Sequence, residues 1–124
     1  MAQYYSQEAY PVHTFQSRGL YPSGGPMSDG TRRVLQDHGI RTQGHRSQQL
    51  TQEDLVWADV IVPMTEEIGH YLRTLEPSKV FEFWNYQGEE VPDPYGGSLE
   101  IYERTYEVLK ENIKKMMAVL EEKR

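Results

Sequence analysis

From Ser98 toward the carboxyl end, apolar residues fall at Tyr102, Tyr106, Leu109, Ile113, Met116 or Met117, and Leu120. Steps of three and four follow the turn of an α-helix, so these side chains form one continuous stripe. A helix with such a stripe needs a core to cover it, because packing of the apolar face supplies most of its stability. Whatever fold this chain adopts must be built against its last helix.

The partners of that helix are read upstream. Residues 2–9 (AQYYSQEA) read as the end of a helix, which Pro11 stops, and Val12–Gln16 (VHTFQ) alternates apolar and polar residues as a short strand does. Arg18–Met27 (RGLYPSGGPM) is a glycine- and proline-rich loop. A helix opens at Ser28, whose hydroxyl suits the first-turn amides. It buries Val34 and Leu35 and ends at His38-Gly39. His38 in the last turn also suits the helix dipole. Thr51 with Asp54 gives a variant capping box for a short helix ending near Trp57. Ala58–Pro63 (ADVIVP) is a β-branched run without polar alternation, the pattern of a strand covered on both faces. Thr65 caps a helix through about Arg73, and Lys79–Phe83 (KVFEF) is a further strand. Trp84–Gly97 forms a loop long enough to carry function. Strands alternating with helices predict an α/β three-layer sandwich with a small, mostly parallel sheet, one domain over residues 1–124.

Composition removes several functions. The net charge is −6 and the basic residues are scattered, so no face can neutralise a nucleic-acid backbone. No apolar run approaches membrane-spanning length. The opening Met1-Ala2-Gln3-Tyr4-Tyr5 has neither the basic nor the apolar part of a signal peptide, which predicts a cytoplasmic protein. His13, His38, His45 and His70 are irregularly spaced, so neither a metal site nor a cofactor is expected. With no cysteine at all, the chain has no disulfide, no thiolate zinc site and no cysteine nucleophile.

Four segments, in order, carry a resemblance. Ser17-Arg18-Gly19-Leu20 is followed by His38-Gly39-Ile40 with Gly44-His45-Arg46-Ser47 and Leu50-Thr51. Then come Ala58-Asp59-Val60-Ile61-Val62-Pro63-Met64-Thr65 and Pro92-Asp93-Pro94-Tyr95-Gly96-Gly97-Ser98. Together they resemble the low-molecular-weight protein tyrosine phosphatases and the related bacterial arginine phosphatases, from about residue 2 to the end. Arg18 departs from the small residue that the family carries there. Gly24-Gly25-Pro26 is a turn and not a phosphate cradle, since it does not stand between a strand and a helix. Arsenate reductases of the same fold need several cysteines.

The resemblance implies a reaction. A cysteine thiolate attacks phosphorus while the amides and arginine of a Cys-x5-Arg loop hold the phosphoryl oxygens. It implies that Asp93 protonates the leaving phenolate and then activates water. It implies that Tyr95 stacks on an aryl substrate, and that Ser17 and His45 brace the phosphate loop. The substrate would be a phosphoprotein, bearing phosphotyrosine or phosphoarginine, or a small phosphate ester. Read from the residues alone, Asp93 is a turn residue and His45 a locally satisfied histidine, while Tyr95 is equally a loop aromatic and Ser17 equally a strand-end hydroxyl in a turn. In the family, an apolar strand ending in Cys-x5-Arg-Ser-Pro-Met-Ala precedes this region, and here the chain opens at Met1-Ala2. The expectation is a phosphatase domain that lacks its central first strand and phosphate loop and is inactive as given. The alternative is a non-catalytic binding or regulatory relative. Ser17 and His45 are then expected to have lost their partners.

Loss of a central strand would forfeit on the order of ten kcal/mol of apolar burial, at a few kcal/mol per side chain. It would also leave strand edges open to self-association. The isolated chain is therefore expected to be unstable, rearranged or completed by another chain. A cooperative, monomeric urea transition of ordinary stability would overturn that expectation.

Overall fold

The computed structural model describes residues 1–21, 24–42 and 44–122. Its elements, among those residues, are α1 (Ala2–Ala9), α2 (Asp29–Asp37), α3 (Gln52–Trp57), α4 (Glu66–Leu75), a 3-10 turn (Phe83–Tyr86) and α5 (Leu99–Glu122). None of these helices is long and apolar enough to cross a membrane. The chain divides into two compact units, residues 1–50 with 94–110 and residues 51–93 with 111–124.

The helix boundaries follow their caps. Ser28 accepts from the Thr31 amide, Thr65 accepts from the Ile68 amide, and Thr51 with Asp54 completes a full capping box. Gly39 sits at φ +72°, the left-handed conformation that ends α2. α4 runs to Leu75, one half-turn beyond the sequence expectation. Pro22 and Ser23, inside the predicted glycine- and proline-rich loop, lie outside the described residues.

The predicted strands do not form ladders. Backbone pairing among the described residues is confined to isolated bridges: Gly19 with Gln49, Pro26 with Arg46, and Ile61 with Val80. Val12–Gln16 is not a strand. Val12 is 87% exposed, and an alternating pattern favours a strand only where one face is covered. At Ala58–Pro63 the predicted burial on both faces fails as well, for Val60 is exposed and Ile61 and Val62 are half-buried. Ile61 donates to the Lys79 carbonyl at 2.9 Å and accepts from the Phe81 amide at 2.8 Å, one parallel step. A β-branched run is extended by its own sterics, but it becomes a strand only with a partner along its length. The strand expected over Lys79–Phe83 likewise ends early, because Phe83 turns into the 3-10 helix.

In the first unit, the core gathers Tyr5 from α1, Val34 and Leu35 from α2, and Tyr102, Tyr106 and Leu109 from α5. A Cβ on Gly30 would lie 2.5 Å from the Tyr102 ring, so α2 meets that ring only because glycine stands there. In the second unit, Leu55, Leu72, Phe81, Phe83 and Val91 are buried, together with Ile113, Met116 and Met117 of α5. Buried Glu82 pairs with the Arg73 guanidinium and accepts from Trp84 Nε1 at 2.9 Å.

The segment leading to Asp93 is tied down within this second unit. Asn112, itself buried, accepts from the Glu89 amide at 3.0 Å and donates to the Glu89 carbonyl at 2.8 Å. Lys115 Nζ donates to the Gln87 carbonyl at 2.9 Å, and the Val91 amide donates to the Met64 carbonyl at 2.7 Å. A Cβ on Gly88 would lie 2.7 Å from Asn112 Oδ1 and 2.8 Å from the Phe83 carbonyl oxygen, so the approach needs glycine. Asn112→Ala removes both part-buried hydrogen bonds and is expected to cost about 1–3 kcal/mol, at ~0.5–1.5 kcal/mol net per bond. Urea unfolding with an unchanged m-value checks this, and Asn112→Asp, which keeps the acceptor, should recover part of the loss.

Candidate active site

Ser17 and His45, far apart in sequence, line one cavity of about 230 Å³ in the first unit, with Tyr4, Ser28, Thr31 and Ser47. The local backbone explains how they meet. The Gly19 amide donates to the Gln48 carbonyl and the Leu50 amide returns to the Gly19 carbonyl, both at 2.9 Å, so residues 48–50 run beside Gly19. Farther along, Ser47 closes on the opposing loop twice. Its amide donates to the Gly25 carbonyl at 2.9 Å, and its hydroxyl accepts from the Gly24 amide at 2.9 Å. These bonds bring His45 to the cavity that Ser17 also lines.

Each of the two has a partner on α1. The Ser17 hydroxyl donates to Gln3 Oε1 at 2.7 Å, and His45 meets the Tyr4 ring edge-on at 5.5 Å between centroids. Gln3 and Tyr4 are neighbours on α1, so this helix supplies what each side chain needs. Tyr4 belongs to none of the four motif segments. Its contact joins positions forty-one residues apart, and no local pattern signals it. The sequence marks Ser28 only as a helix start and gives Thr31 no role; their hydroxyls, 3.0 Å apart, also line the cavity. Arg18, the departure from the family pattern, turns its guanidinium back onto the Ser17 carbonyl at 2.8 Å and Gln16 Oε1 at 3.0 Å.

Tyr95 rims an adjoining, more open pocket of about 420 Å³ with Asp29, Gly97, Leu99 and Tyr102, and Ser28 borders both spaces. The tyrosine is 82% exposed. Its loop is shaped by Gly96 at φ +81° and by the Gly97 amide, which donates to the Pro94 carbonyl at 2.8 Å. Asp93, exposed, is the last residue of the second unit's first segment, and Pro92 and Pro94 restrict the backbone on either side.

Burial and, secondarily, the positive charge of the amino terminus hold the His45 imidazole below its usual value of 6.5. Burial pushes the Met1 amine down to about 6 from 8.0. Neutral forms are thus preferred around this cavity, whose polar lining is otherwise hydroxyl and amide.

Over residues 2–124 the chain matches the family described as low molecular weight phosphotyrosine protein phosphatase. It is 32% identical over 126 residues to the low molecular weight protein-tyrosine-phosphatase PtpB of Staphylococcus aureus, covering 97% of this chain and 88% of that protein. The tyrosine phosphatase AmsI of Erwinia amylovora superposes with a TM-score of 0.84 at 25% identity, over 95% of this chain and 82% of that one. The YwlE arginine phosphatase of Geobacillus stearothermophilus gives 0.84 at 25% identity, over 98% and 83%. The fold is therefore the α/β fold of these phosphatases, reached here with few paired strand residues.

The depressed values fix a pH dependence. Each group binds its proton more readily unfolded than folded, so stability rises with pH across its window. That window lies below 6.5 for His45 and between about 6 and 8 for the Met1 amine. His45→Gln is expected to flatten the acid limb, measured by urea unfolding at about pH 5 and about pH 7.5, while the rise due to the amine persists.

Proposed function

The chain belongs to the low molecular weight phosphotyrosine protein phosphatase family, and we propose that its residues form the acid-bearing scaffold of a phosphomonoester hydrolase whose nucleophile they do not contain. The observation that carries this reading is the meeting of Ser17 and His45, from two separate motifs, on one polar cavity. A wall of hydroxyls, an imidazole held neutral and α1-borne amide groups suits a phosphate-binding loop, which needs hydrogen-bonding support without competing negative charge.

In this reading Asp93 is the proton donor to the leaving oxygen and then the acceptor from attacking water. Fixing the backbone ahead of it, through Asn112 and Glu89, limits the entropy lost in aiming the carboxyl. Tyr95 offers an exposed ring for an aryl or planar guanidino group, which fits phosphotyrosine or phosphoarginine in a protein, or a small phosphate ester. The covalent step requires a thiolate to displace the leaving group from phosphorus and water then to release phosphate. No residue among the 124 supplies that thiolate. The second reading is a binding or regulatory role on the same scaffold.

The purified chain is expected to show no turnover of p-nitrophenyl phosphate above buffer. Joining to its amino end an apolar strand followed by Cys-x5-Arg-Ser-Pro is expected to produce turnover. In that completed protein Asp93→Asn should lower kcat by roughly 10²–10⁴, the usual contribution of a positioned acid–base group. Activity of the unextended chain would overturn the reading. So would a folded but inert extended protein, an outcome that would favour the binding role.

A further inference from the structure

Among the described residues, one mixed group of metal-ligating side chains lies in the first unit, apart from the cavity of Ser17 and His45. It consists of His38, Glu103 and Glu107. The two glutamates stand four residues apart on α5 and so share one face of the helix. His38 caps the carboxyl end of α2, and its Nε2 lies 2.5 Å from Glu103 Oε1. The imidazole is not free to turn, for it stacks on the Tyr106 ring at 4.1 Å with the planes 16° apart. One ligand atom from each of the three residues lies within 4.8 Å of the others.

We propose that His38, Glu103 and Glu107 bind one divalent transition metal of the zinc class, joining the end of α2 to α5. Metal–donor bonds of about 2.1 Å at tetrahedral angles place donors ~3.4 Å apart. The histidine–Glu103 pair must open slightly and Glu107 must swing in, which its exposure permits. One imidazole and two carboxylates match zinc, while calcium and magnesium favour oxygen-only shells. Two carboxylates cancel the charge of a dication and relieve their own mutual repulsion on binding it. Tyr106 fixes the ring plane, so the nitrogen is aimed before the metal arrives.

The bland reading is a simple histidine–glutamate ion pair, and Glu107 separates the two. An ion pair between His38 and Glu103 has no use for Glu107, whereas the metal site loses one of its three ligands without it. The test is calorimetric titration of zinc chloride into the full chain at neutral pH. One equivalent is expected to bind, with affinity falling roughly tenfold or more in Glu107→Gln and in His38→Gln. Zinc should raise the melting temperature of the wild-type chain and leave that of Glu107→Gln nearly unchanged. Glu107→Gln alters an exposed carboxyl and keeps the His38–Glu103 bond, so it tests the site even if His38→Gln unfolds. Absence of zinc binding, or binding of equal strength in Glu107→Gln, overturns the proposal.

Discussion

Burial of one face of α5 is the constraint on which both units depend. Tyr102, Tyr106 and Leu109 belong to the core of the first, and Ile113, Met116 and Met117 to the core of the second. At about 1.5–3 kcal/mol for each fully buried large side chain, this stripe outweighs any single polar contact described above. It also dictates what approaches it. Gly30 on α2 exists in that position because the Tyr102 ring occupies the space of a Cβ. Tyr5 of α1 packs edge-on against Tyr106 at 5.8 Å, and His38 stacks on the same ring. The same helix carries Asn112, so the element that organises the core also holds the segment before Asp93.

Backbone pairing is the counterpart to that packing, and it is sparse. Helices satisfy their own amides, and caps at Ser28, Thr51 and Thr65 meet the first unpaired ones. Extended segments have no such self-sufficiency. The run around Ile61 finds one parallel step against Val80, and Val56, Trp57 and Val60 in the same unit remain exposed. Apolar composition drives a segment toward cover, but the cover has to come from another element.

That difference explains which parts of the fold were legible. Caps and stripes are written within a few residues of one another, so α2, α3, α4 and α5 could be read directly from the chain. The strands at Val12–Gln16 and Lys79–Phe83 were inferred from period and composition, which describe a preference and not a partner. The candidate site divides in the same way. The motif order pointed to Ser17, His45, Asp93 and Tyr95 by resemblance, whereas Gln3 and Tyr4 as the partners of Ser17 and His45 required the path of α1 beside the cavity.

The amino-acid sequence by itself determined the amphipathic last helix, the capped helix starts, the family and the absence of a thiol, because each is a local pattern or a count. Tertiary structure alone decided that Ser17 and His45 share a cavity, that Asn112 grips Glu89 from twenty-three residues away, and that His38 meets Glu103 across sixty-five. Such meetings depend on how helices pack around the buried face of α5. Packing is a property of side-chain shapes acting together, and no stretch of sequence encodes it alone.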